Sequence, residues 1–171
     1  IHMAPAADQI LVLLGTTSGH LGQSAYAWEL FGNAEGDAPS VDLRAERRTG
    51  ELVRALHAEG LITAAHDLSD GGLAVAAAEM ALAGDTGVGL DAHADLDPAA
   101  WFFGEDQGRY LVACKAEHAD RLVELAIAAP VPVRRVGTTG GDKVRLGASE
   151  VPLADLRDAH EGGFARMMGE E

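Results

Sequence analysis

The chain is poor in cysteine, in aromatic side chains and in positive charge, and each shortage removes a class of protein. Cys114 is the only cysteine of 171 residues, so no internal disulfide can form and no CxxC pair is present to hold zinc, which points to a reducing compartment, the cytoplasm. Lys and Arg number 13 against 27 Asp and Glu, a net charge of -14. Such a field repels a phosphate backbone, and no basic cluster interleaved with aromatics offsets it, so nucleic acid is not expected as a partner. No apolar run approaches the roughly 18 residues that span a bilayer, and the N-terminus lacks the basic-then-apolar pattern of a secretory signal, so no membrane partner is expected either. No GxGxxG follows the first strand, which argues against a dinucleotide fold. Four Phe, two Trp and two Tyr are few beside the aliphatic residues and alanines that dominate the 47% hydrophobic content. Helices packed on a sheet fit that composition better than an aromatic-rich sandwich.

The length suits one domain with one core. Residues 1–8 are expected to be a cloning remnant, Ile1-His2-Met3, and a flexible N-terminus, and residues 9–171 the domain. Gln9 to Gly15 is a short apolar run ending in glycine, hence a buried strand. Helical character follows over Gln23 to Phe31, then a connection over Asn33 to Pro39, then an amphipathic helix from Val41 to Glu59 with Leu52, Val53 and Leu56 on its dry face. Leu61 to Ala65 reads as a strand and Leu73 to Ala83 as a helix. That helix is apolar nearly all round, so it must be buried on more than one side or covered by another domain. Further strands are expected at Val88 to Leu90, Arg109 to Lys115, Val131 to Val136 and Lys143 to Leu146, with a helical turn at Pro98 to Phe103 and helices over Glu117 to Ala129 and Asp155 to Met168. The alternation defines an α+β or α/β sandwich.

Three turns hold the residues suited to chemistry. In His66-Asp67-Leu68-Ser69-Asp70-Gly71-Gly72 a strand delivers polar groups to a helix N-terminus, where free N–H groups attract anions and glycines allow a ligand close to the backbone. The structural alternative is an N-cap from Ser69 or Asp70, with the glycines serving packing. Asp67 and Asp70 would repel a bare phosphate unless magnesium or a basic group intervened. His66, Asp67 and Ser69 are too close along one strand to converge as a triad. The second turn, Gly104-Glu105-Asp106-Gln107-Gly108-Arg109-Tyr110, combines carboxylates, an amide and a guanidinium. It could bind ribose hydroxyls or a substrate amide, or simply be a solvated turn with an Arg–carboxylate pair. The third, Gly15 to Ser24 (GTTSGHLGQS), is rich in glycine and hydroxyls but lacks the GK[ST] ending of a P-loop.

Taken in order, LLGTTSGHLGQSAY, HDLSDGGLAVAAAEMALAG and FFGEDQGRYLVAC resemble the last domain of the formylglycinamidine ribonucleotide synthetase family over about Gln9 to Met168. Gln23 departs from the family pattern, which usually has glycine there. The resemblance implies an AIR synthase C-terminal-domain-like fold, a three-layer α/β/α sandwich with partial ferredoxin-like topology, the fourth of four pseudo-repeated domains. It implies a whole enzyme that uses Mg-ATP to activate the amide of formylglycinamide ribonucleotide for attack by glutamine-derived ammonia. Its partners would be the preceding domains of the same polypeptide, a glutaminase subunit and a small bridging subunit. Catalytic histidine and metal ligands would lie on other domains, leaving this one inactive alone, with no catalytic residue and no cofactor of its own. Asp67, Ser69, Asp70, Gly71 and Gly72, with Glu105, Asp106 and Gln107, would line a cleft towards a neighbouring domain. A free-standing nucleotide-binding or dimerisation module of the same fold is the competing expectation.

Overall fold

A computed structural model describes the backbone of residues 1–32 and 35–168. The expected connection from Asn33 to Pro39 therefore falls partly outside the described residues. Seven strands form one sheet in the order β2-β4-β1-β5-β3-β6-β7. They are β1 (Ile10–Leu14), β2 (Ala64–Asp67), β3 (Val88–Leu90), β4 (Tyr110–Cys114), β5 (Val133–Thr139), β6 (Lys143–Leu146) and β7 (Ser149–Pro152). The helices are α1 (Ala25–Phe31), α2 (Leu43–Ala58), α3 (Gly72–Gly84), α4 (Pro98–Phe103), α5 (Ala119–Ala128) and α6 (Leu153–Met168).

β1 shows why the sequence dictates three layers. Every residue of ILVLL after Ile10 is buried, because the strand lies at the sheet centre with helices on both faces. Leu11 and Leu13 face a core shared with Leu73, Ala77 and Met80 of α3 and Trp101 and Phe102 of α4. Val12 and Leu14 face the opposite core, with Leu52, Val53 and Leu56 of α2 and Leu122 and Ala126 of α5. The period of two in a strand splits one apolar run between two cores. β1, α2, β2, β4, α5 and β5 form the ferredoxin-like unit, with β1 and β4 central and antiparallel to β5 and β2 respectively. α3, β3 and α4 are inserted between its halves, and β6, β7 and α6 extend it.

Among the expected elements two differences stand out. The strand expected at Leu61 to Ala65 lies at Ala64–Asp67, because Leu61 and Ile62 turn into the α2–α5 core while the edge position of β2 tolerates polar His66 and Asp67. β7 was not anticipated, since its residues are all exposed and it is held only by antiparallel pairing with β6. Helix α3 is buried by its own domain: seven of its residues, from Gly72 to Ala81, are buried between the sheet, α4 and α6. No second domain is required to cover it. Ahead of β1, Pro5 is buried, the Ala65 N–H donates to the His2 carbonyl at 3.0 Å, and the Thr139 hydroxyl donates to the Ala6 carbonyl at 2.7 Å.

Candidate functional site

The three glycine-rich turns meet at one end of the sheet, and two carboxylates hold them together. Glu105 follows Gly104, whose lack of a side chain lets the turn rest on Gly19, since a Cβ there would stand 2.8 Å from the Gly19 Cα. The Glu105 N–H donates to the His20 carbonyl at 2.8 Å, which fixes the turn against the first loop. From this position Glu105 Oε1 accepts the N–H of Ala25 at 2.8 Å and that of Gly71 at 2.7 Å. These are the first residue of α1 and the N-cap of α3. One carboxylate oxygen thus satisfies orphan donors at two helix N-termini and places negative charge at the positive end of both helix dipoles.

Asp106 performs the same task for the first loop. Its Oδ2 accepts the N–H of Ser18 at 3.1 Å and that of Gly19 at 2.9 Å, and its Oδ1 accepts the Ser18 hydroxyl. Only 8% of Asp106 is exposed. Burial pushes its carboxyl upwards, but the Ser18 hydroxyl, the Gly19 and Ser18 N–H groups and the Arg109 charge outweigh it and hold the group below the usual aspartate value. Arg109 lies beneath, 1% exposed, its Nη1 4.0 Å from Asp106 Oδ2. Its Nε donates to the Asp106 carbonyl at 3.0 Å, Nη1 to the Thr17 hydroxyl at 3.4 Å, and Nη2 to the Gly104 carbonyl. Burial lowers the guanidinium pKa, with Asp106 and then Glu105 opposing the shift. Every buried side-chain polar atom among the described residues has a partner.

The sequence candidates divide accordingly. Asp67, Ser69, Asp70, Glu105 and Gln107 surround a cavity of about 210 Å³, whose rim also carries Glu46 of α2. Asp106 lies instead on a neighbouring cavity of about 250 Å³ that shares Glu46, Gln107 and Gly108 and is walled by Ser18, Arg48 and Thr49. Gly71 and Gly72 line neither. Both have positive φ, 76° and 62°, and a Cβ on Gly72 would stand 2.4 Å from the Gly104 carbonyl oxygen, so the space beside it is filled by the protein's own backbone. The N-cap expected from Ser69 or Asp70 is absent: the cap residue is Gly71, without a side-chain bond of its own, and Glu105 supplies the acceptor from 34 residues away. His66 is a structural hydrogen-bonder, its Nε2 2.6 Å from Glu79 Oε2 on α3. Glu46, Ser18 and Thr17 were not singled out individually from sequence. Only the long-range approach of α2 and the first loop gives them a place here.

This donor set does not suit Mg-ATP. The backbone N–H groups of Ser18, Gly19, Ala25 and Gly71, which could cradle phosphate, are already occupied by Glu105 and Asp106. The cavity rim is acidic, its one arginine is turned inwards, and no group of three or more His, Cys, Asp or Glu residues among the described ones could hold a metal ion.

A ferredoxin-like half-sheet extended to seven strands, with its glycine turns tied by internal acids, defines the class: the chain belongs to the family described as AIR synthase related protein, C-terminal domain, which matches residues 6–148. Within that class its similarity is to PurL. It is 51% identical over 167 residues to phosphoribosylformylglycinamidine synthase subunit PurL of Cereibacter sphaeroides and 48% identical over 162 residues to that of Zymomonas mobilis. These matches cover 96% and 94% of this chain but only 22% of either relative, so the chain spans about a fifth of their length. Thermotoga maritima PurL complexed with FGAR superposes with a TM-score of 0.72 at 22% identity, covering 91% of this chain and 29% of that one; the same protein complexed with ATP also gives 0.72, at 21% identity. At those identities the likeness shows the shared fold.

Proposed function

We propose that residues 9–171 are the C-terminal domain of a phosphoribosylformylglycinamidine synthase, and that this domain contributes a cleft wall and domain packing while other domains perform the chemistry. The reaction of the whole protein would be the ATP-dependent conversion of formylglycinamide ribonucleotide and glutamine-derived ammonia to formylglycinamidine ribonucleotide. Mg-ATP would bind mainly elsewhere in the polypeptide, a glutaminase subunit and a small bridging subunit would be its partners, and the cytoplasm its location. The observation that carries the reading is the double use of Glu105. A carboxylate closing two helix N-termini is a structural device, and it removes the anion-binding capacity that glycine turns otherwise offer. Asp67, Ser69, Asp70 and Gln107 line the cavity rim, and in this reading they would meet a neighbouring domain or the polar part of a ligand held by it.

The test is ADP release with formylglycinamide ribonucleotide, Mg-ATP and ammonium, measured for this chain, for the separately expressed remainder of the longer polypeptide, and for the two mixed. Activity restored only on mixing supports the reading. Turnover by this chain alone would overturn the assignment of chemistry to other domains.

A further inference from the structure

Helix α1 is seven residues long and buries none of them. Apart from Glu29 its sequence, AYAWELF, is apolar throughout, and Trp28, Leu30 and Phe31 are 59%, 60% and 67% exposed. A helix this short does not hold itself together in water. It is held here by the Ser24 side chain accepting from Ala27, by Glu105 accepting from Ala25, and by Tyr26 stacked on Phe103 with ring centroids 5.0 Å apart. The domain therefore applies specific bonds to present an apolar face that it does not itself cover. Three large side chains exposed by about 60% amount to roughly 350 to 400 Å² of apolar surface, the size at which a patch marks an interaction site. Val41 and Leu43, at the entry to α2, add further exposed apolar side chains on the segment that follows.

The charge pattern selects the occupant. Glu29, on the same helix, and Asp37 and Asp42, on the segment after it, are exposed. A second copy would bring acid against acid on a chain of net charge -14, so self-association through this face is opposed. The proposed function leaves about four fifths of the polypeptide, by comparison with the relatives, outside this chain. Resting on that reading, we infer that the Trp28-Leu30-Phe31 face of α1 is the surface by which this domain docks on the rest of its own polypeptide, against an apolar patch rimmed by basic residues. Glu105 acts through backbone bonds as the positioning residue that keeps α1 in place for that contact.

The experiment uses the longer polypeptide. Leu30→Cys is treated with a maleimide, and its rate of modification is compared with that of the same protein unfolded in denaturant. Docking predicts modification at least tenfold slower in the folded protein, independent of protein concentration. Equal rates would overturn the inference, and so would protection lost on hundredfold dilution, which would identify a second copy as the occupant. Glu29→Lys supplies an independent readout that does not depend on the cysteine variant: limited proteolysis is expected to release the domain several-fold faster when the acid is reversed against a basic rim, and an unchanged release rate counts against the charge assignment. Activity is recorded in parallel. A protected Leu30→Cys in a polypeptide without synthetase activity would sink the functional reading and leave the docking face standing, whereas an active polypeptide with an open Leu30→Cys would do the reverse.

Discussion

Glu105 Oε1 lies 2.7 Å from the backbone nitrogen of Gly71, so helix α3 is capped by a carboxylate from a different turn. The same oxygen caps α1, which makes the Gly104–Arg109 turn the point where the first loop, α1 and α3 are joined. Asp106 and Arg109 complete the junction from below.

Asp106→Asn leaves the Arg109 guanidinium in a buried position without its nearest charge partner, while the amide oxygen can still accept from the Ser18 and Gly19 N–H groups and its NH2 can donate to the Ser18 hydroxyl. Loss of one member of a buried pair costs about 3 kcal/mol. Urea unfolding at pH 7 is expected to show a drop of that order, and a change under about 1 kcal/mol would mean that the junction does not depend on this charge.

The acid response follows from the same group. Because the folded-state pKa of Asp106 is lowered, its contribution to stability is complete above the unfolded aspartate value of about 3.9 and is lost as pH falls through the folded value. Stability measured from pH 6 downwards is expected to fall more steeply below about pH 4 in the wild type than in Asp106→Asn, which has no such proton to take up. Parallel curves would contradict the assignment.

Gly72→Ala introduces a Cβ 2.4 Å from the Gly104 carbonyl oxygen at a residue with φ of 62°. Left-handed backbone strain of about 1 kcal/mol adds to overpacking of about 1 to 3 kcal/mol. The expected loss is about 2 to 4 kcal/mol by urea unfolding, and a neutral substitution would show that the turn is free to shift.

Much of this architecture was legible in the sequence, because strand and helix periodicities are local properties. ILVLL read as a buried strand, and HDLSDGG as the passage from a strand into a helix, although its first two residues belong to β2. The junction was not legible, because Glu105 acts across 80 residues on Ala25 and 34 on Gly71, and no spacing rule reports such a distance. The uniformly apolar α3 left two readings open, burial on more than one side or cover by another domain, and the first holds, while the uncovered apolar side chains are on the short α1. β7 was missed because Ser149-Glu150-Val151-Pro152 lacks alternation and contains proline, so only its pairing with β6 makes it a strand.

Gln23 has φ of 55° and donates from Nε2 to the Gly36 carbonyl at 2.9 Å. The left-handed backbone is one that glycine adopts without strain, and the exposed side-chain bond offsets part of the strain at Gln23. Gln23→Gly is expected to change stability by no more than about 1 kcal/mol, with any change favourable. A thermal unfolding midpoint lowered by more than a few degrees would indicate that the Gly36 bond outweighs the strain.

The most direct measurement is Glu105→Ala in the longer polypeptide, read both as unfolding stability and as retention of nucleotide. Exposing two helix N-termini without their shared acceptor is expected to cost about 2 kcal/mol while leaving nucleotide retention unchanged, because Glu105 is a clamp between helices. Unchanged stability together with lost nucleotide would show instead that Glu105 is a ligand residue, and would contradict the structural role assigned to this domain.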